Sequence, residues 1–103
     1  MIEILNKLKN RDFFPEEEWG ERGLIPSEEE IIEKMKLEIK NFIDFLIRLY
    51  QSQPTQQKII QEIQRYFDEW DRNDFDTEEM EFIFDEFFEI LREIKIEPDK
   101  FDV

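Results

Sequence analysis

The chain contains no histidine and no cysteine. Without histidine there is no imidazole base, no imidazole metal ligand and no Ser-His-Asp triad. Without cysteine there is no disulfide framework and no thiolate metal site, which fits a reducing, cytoplasmic setting. Only two glycines and four prolines punctuate 103 residues. That is too few for a multi-turn β fold, and the period-2 alternation of half-buried strands is missing. No glycine-rich loop is present to cradle a phosphate. The only serines, Ser27 and Ser52, lie at expected caps or loops. No apolar run approaches the roughly 18 residues of a membrane span. The opening "MIEILNKLKN" does not read as a signal peptide.

Hydrophobic residues make up 40% of the chain and aromatic residues 15%, enough for a core despite 41% charged residues. The length predicts one helical domain over 1–103. The formal net charge is −14, which disfavours contact with nucleic acid or anionic lipid. It is unevenly placed: residues 74–103 carry 12 acidic and 3 basic side chains, a net −9. Such a surface is either a solvated helix face or a surface for a basic protein partner, whose arrival it would steer.

Helical periodicity organises the chain. "IEILNKLK" spaces Ile2, Leu5 and Leu8 as a short amphipathic helix. A second helix is expected from a Ser27–Glu30 capping box to about Tyr50. Its apolar face joins Ile31, Met35, Ile39, Phe42, Leu46 and Leu49, widened by Ile32, Ile43, Phe45, Ile47 and Tyr50. A stripe that wide touches several neighbours, so this helix is central. A third helix, about 54–71 with Pro54 in its first turn, presents Ile59, Ile60, Ile63, Tyr66, Phe67 and Trp70. The short loop before it makes helices two and three antiparallel. A fourth, about 77–95, begins with Asp76 and Glu79 as a capping box and with Phe75 against Met80 as a hydrophobic staple. It turns Met80, Ile83, Phe84, Phe87, Phe88, Ile90, Leu91 and Ile94 inward, and Pro98 stops it. The expected fold class is all-α: a small antiparallel bundle of three long helices plus a short N-terminal helix and a packed connecting loop.

That loop, "RDFFPEEEWGERGLIPSEEE", reads as one helical turn, with Pro15 at its first position, Glu16–Glu18 following and Gly20 just past its end. Gly23 supplies a further permissive backbone position. Phe13, Phe14, Trp19, Leu24 and Ile25 are too many apolar groups for a free loop, so it should cover the open side of the core. An exposed Trp19 would instead be a binding anchor.

Calcium-loop chemistry fails on spacing. Counted from Asp74, position 6 is Glu79 where glycine is needed, and position 12 is Asp85 where glutamate is needed. Paired Glu-x-x-His motifs for a di-iron site are absent. No cofactor, metal site or enzymatic activity is expected. Two residues break the helical patterns. Leu37 points among Glu33, Lys40, Asp44 and Arg48; Phe82 points into a face holding Glu78, Asp85, Glu86, Glu89 and Glu93. Single exposed apolar residues are ordinary. An aromatic ringed by acids also has the composition of an interface hot spot. Phe82, Glu78, Asp85, Glu86, Glu89, Glu93 and Trp19 are therefore the candidate partner-binding residues. The alternative is that Phe82 is covered by Phe101 and Val103, or by a second subunit of a homodimer.

Trp19–Leu24 ("WGERGL"), followed by a Ser-Glu-Glu helix start, and Asp74–Ile83 ("DFDTEEMEFI") resemble segments of a family of small bacterial helical proteins, a domain of unknown function. The resemblance spans nearly the whole chain and implies a single all-α domain without catalytic residues. The functional expectation is a non-enzymatic, acidic interaction module, in concrete form an immunity- or inhibitor-type protein against a basic partner. The alternative is a structural or homo-oligomerising domain. Self-repulsion at −14 should respond to screening. Raising salt from about 10 mM to about 150 mM shortens the Debye length from about 30 Å to about 8 Å. The urea midpoint followed by circular dichroism should rise over that interval; a flat response would mean that net repulsion is not a term in stability.

Overall fold

A computed structural model covers residues 1–103 and is all-α. Its helices are α1 (Ile2–Lys9), α2 (Glu16–Glu21), α3 (Glu29–Gln51), α4 (Gln56–Glu69) and α5 (Thr77–Glu93), followed by a 3-10 turn at Pro98–Lys100. None of them is long and apolar enough to cross a membrane.

Local chemistry sets the helix starts, with two departures from expectation. α5 begins with the expected capping box: the Asp76 carboxylate accepts the Glu79 N–H at 2.8 Å, and the Glu79 carboxylate accepts the Asp76 N–H at 3.0 Å. Phe75, just ahead of the cap, stacks on the Trp70 ring with centroids 6.0 Å apart. α4 starts two residues later than expected, at Gln56. Thr55 is its N-cap, its hydroxyl accepting the Lys58 N–H at 3.2 Å, and Pro54 precedes the cap. Ser27 does not cap α3. Glu28 holds that position, and the Ser27 hydroxyl donates to the Glu79 carboxylate. The competition is decided by burial: Glu79 is 7% exposed and needs donors, whereas the start of α3 lies in water.

The ends use left-handed residues. Gly20 lies inside α2, not past its end, and Gly23 at φ 73° makes the turn. There the Leu24 N–H reaches the Trp19 carbonyl at 2.9 Å and the Gly23 N–H reaches that of Gly20 at 3.0 Å, a Schellman pair. α5 closes the same way without glycine. Lys95 sits at φ 65°, the Ile96 N–H reaches the Leu91 carbonyl at 2.8 Å, and Ile96 is buried. Gln53, after α3, is a third case at φ 53°.

α3 is central, as its wide stripe predicts: Met35, Ile39, Phe42, Ile43 and Leu46 are fully buried. α1 is more than an appendage. It packs backbone-close on α3 and also on α5, buries Leu5 completely, and sets Lys9 on Asp44 of α3 at 2.6 Å. α4 reaches the same core through large rings. Phe67 meets Phe42, Phe87, Phe84 and Phe101 with centroids 5.6–5.8 Å apart, while Tyr66 stacks on Phe45 at 4.6 Å. Such ring pairs each add about 0.5–1.5 kcal/mol beyond the area they bury.

A non-glycine residue held left-handed costs about 1–2 kcal/mol. Gln53→Gly should therefore raise stability by roughly 0.5–1 kcal/mol after allowing for the looser unfolded chain, and Gly23→Ala should lower it by about 1 kcal/mol. Urea titration of the two variants checks both signs; the same sign for both would contradict the helix-end geometry.

Candidate partner-binding surface

The chain between α1 and α3 runs as a strap over the second face of α5. Phe13, Phe14 and Trp19 are buried along it. Phe14 adopts φ 58°, a costly backbone for a bulky residue, and its carbonyl accepts the Trp19 indole N–H at 3.3 Å. The two rings close on Phe82. Trp19 lies 4.5 Å away, centroid to centroid, and Phe14 meets it edge-on at 5.9 Å. Arg22 lies over the Phe82 ring, 3.9 Å from its centroid, and bonds Asp85 at 2.7 Å. Arg11 lies on the Glu86 carboxylate and over the Phe13 ring.

This overturns the centre of the expected site. Phe82 is 2% exposed and Trp19 is 1% exposed, so neither can anchor a partner. The strap covers Phe82 and Glu86 at the centre of the acidic face, while Glu78, Asp85, Glu89 and Glu93 stay exposed around them, and the strap's own apolar excess is what Phe82 meets. Phe101, the other expected cover, packs on Phe67 instead. Leu24 is half-buried, whereas Ile25, expected to tuck in with the other loop residues, is 91% exposed. Leu37 faces outward at 56%, as its helical position predicts.

The candidate acids divide by what they touch. Glu86 is 8% exposed and held by Arg11. Asp85 stays exposed but carries Arg22, and Glu89 meets Arg92 at 3.3 Å. Glu78 and Glu93 are exposed with no cation within 4.0 Å, as is Glu81, which the sequence reading did not single out. Between strap and α5 lies an open groove of about 430 Å³ whose walls include Glu18, Glu21, Asp85, Glu86 and Glu89. Two guanidinium groups already lie in it, so its chemistry suits cationic side chains.

A second acidic groove was not foreseen. Glu38, Glu69, Asp71 and Asp74 line about 380 Å³ beside Tyr66 and Trp70. The Trp70 indole N–H donates to Glu38 at 2.6 Å. Burial first, and then the Glu38 charge, push the Tyr66 phenol up to about 12, with Arg48 pulling the other way. The sequence did carry one signal for this contact: a half-buried indole needs an acceptor, and Glu38 borders the apolar stripe of α3. No group of three or more acidic side chains is placed to hold a metal ion.

Fold and surface together define a small all-α bundle with an aromatic core and a largely acidic exterior. The chain belongs to the family described as Domain of unknown function (DUF4844), whose model matches residues 1–100. No curated protein and no solved structure matches it.

Removing a buried phenyl ring leaves a cavity and typically costs about 3–5 kcal/mol. Phe82→Ala should lose that much, and Phe82→Lys, tolerable only on an open surface, should be at least as damaging. Glu78→Ala, on the exposed side of α5, should stay within about 0.5 kcal/mol of the parent. Urea unfolding followed by circular dichroism measures all three; a parent-like midpoint for Phe82→Ala would mean that the strap does not cover the ring.

Proposed function

We propose that this chain is a non-enzymatic acidic module that binds a basic protein partner in the cytoplasm, in the manner of a bacterial immunity or inhibitor protein. The observation carrying this reading is the charge: a net −14, with most of the 28 carboxylates lacking any cation within 4.0 Å. Exposed pairs contribute little to folding, about 0–1 kcal/mol each, so an excess of unpaired acids does nothing for the stability of the bundle. It does speed encounter with a cationic partner, and the effect falls steeply with salt. The proposed surface is the exposed side of α5, with Glu78, Glu81 and Glu93, continued by Glu18 and Glu21 on the strap. A second reading, a homo-oligomerising structural domain, draws on the exposed Leu37 and Ile4.

Affinity capture with the parent chain and with a Glu78→Gln, Glu81→Gln, Glu93→Gln variant tests the proposal. Expected is a basic protein whose association rate falls about tenfold or more between low and physiological salt, and which the variant binds more slowly. A neutral or acidic partner, or binding indifferent to both changes, overturns it. Sedimentation that finds a salt-independent dimer lost on Leu37→Lys would favour the second reading.

A further inference from the structure

The most exposed large apolar side chain is Ile25, at 91%, and the loop that carries it is tied down on both sides. The Leu24 N–H bonds the Trp19 carbonyl at 2.9 Å, and the Ser27 hydroxyl donates to Glu79 at the start of α5. Pro26 narrows the backbone freedom of Ile25 further. An apolar group presented in this way loses little freedom when something covers it, unlike a side chain on a loose loop. Its setting is acidic. Residues 16–30 hold seven glutamates and one arginine, a net −6, and Glu28, Glu29 and Glu30 have no cation within 4.0 Å.

A cleft of complementary character lies on α1. It holds about 420 Å³, with Ile4 and Leu8 as apolar walls and Lys7, Asn10, Arg11 and Glu93 around them. Ile4 is 40% exposed there. Arg11 is engaged by Glu86, but Lys7 has no carboxylate within 4.0 Å, although acids outnumber bases two to one. Lys7, Lys9 and Arg11 against Glu3 make residues 1–11 net +2. Lys34, Lys36, Lys40 and Arg48 against Glu38 and Asp44 make residues 34–48 net +2 as well. The two stretches are neighbours, since α1 packs on α3. In a chain of net −14, this is the side that an acidic segment meets with attraction. Ile25 cannot reach the cleft of its own molecule. Ser27 is joined to Glu79 in the first turn of α5, whereas Glu93 ends that helix, and the rise of about 1.5 Å per residue sets those two glutamates about 21 Å apart.

We infer that Ile25 of one chain seats in the α1 cleft of a second copy, with Glu28–Glu30 beside Lys7, so that copies associate head to tail. The two surfaces differ, so the contact is heterologous. A pair keeps one free Ile25 and one free cleft, and further copies extend an open row or close a ring. One side chain and its charged rim fall short of the roughly 1,200 Å² of a standard interface, so the contact is weak and forms at high local concentration. This rests on the homo-oligomerising reading and names its contact. It uses neither Glu78 nor Glu81, so the basic-partner reading stands or falls separately.

The full chain is followed by sedimentation velocity from about 20 µM to about 1 mM in about 150 mM salt, where a Debye length of about 8 Å screens the net repulsion. Its sedimentation coefficient should rise with concentration, and amide shifts of ¹⁵N-labelled chain should move together at residues 4–11 and 24–30. Ile25→Lys should weaken the association about tenfold or more, as should Ile4→Glu. Lys7→Glu, at an exposed position, replaces Ile4→Glu if that variant does not fold. Mixing gives the sharpest reading. The Ile25→Lys chain keeps an intact cleft and the Ile4→Glu chain an intact Ile25. Each alone should stay monomeric, while an equimolar mixture should form one-to-one pairs that grow no further. A parent chain monomeric at about 1 mM, association unchanged by Ile25→Lys, or a mixture as monomeric as its components overturns the inference. A symmetric dimer lost on Leu37→Lys and kept by Ile25→Lys overturns it while upholding the homo-oligomerising reading.

Discussion

Phe14 and Trp19 closing on Phe82 is the contact that the outer half of this structure depends on. Three large rings leave water together, each contributing about 2–3 kcal/mol of burial free energy. Against that stands the left-handed backbone of Phe14, a strain of about 1–3 kcal/mol, so burial wins. The ion pairs along the same seam are individually weaker, about 0–1 kcal/mol where exposed. They therefore select the register of the strap, while the rings hold it down. Arg22 does both at once, since its guanidinium lies over the Phe82 ring, 3.9 Å from its centroid, and also bonds Asp85.

The position of the strap redistributes the charge of α5. Asp85 and Glu86 are engaged by Arg22 and Arg11, and Glu79 is engaged by its own cap and by Ser27. Glu79 shows how local and long-range structure lock together. One carboxylate closes the first turn of α5 and ties down the chain just ahead of α3, so the start of each long helix constrains the other. Acids that the strap does not reach, among them Glu78, Glu81 and Glu93, are left facing water.

Much of the bundle was legible because each helix bears one strong periodic face. The stripes of α3, α4 and α5 name nearly every residue that is buried where those helices meet. Helix ends were less legible, because a cap is a competition. Ser27 and Glu30 form a valid capping box in isolation, and only the fold reveals a buried Glu79 that needs the hydroxyl more. Gly23 was readable as a permissive position, but Gln53 and Lys95 were not, since nothing in their side chains announces a left-handed backbone.

The failure at Phe82 has a sharper cause. A helical wheel gives the direction of a side chain, here correctly away from Met80, but it cannot say what lies in that direction. Two surpluses were visible in the sequence: a strap with more apolar groups than a free loop tolerates, and a ring on α5 with no apolar neighbours of its own. Each was assigned a separate destination, the strap to the open side of the bundle and the ring to a partner. Burial free energy couples such surpluses, because an unpaired ring and an unpaired apolar loop both gain by meeting, and short chains bring them together at little entropic cost. Ile25 marks the limit of that coupling. It follows the Gly23 turn and precedes Pro26, where the chain turns out toward α3, and it stays in water although its neighbours do not. The same logic applies to Phe101, whose ring finds its apolar partner in Phe67.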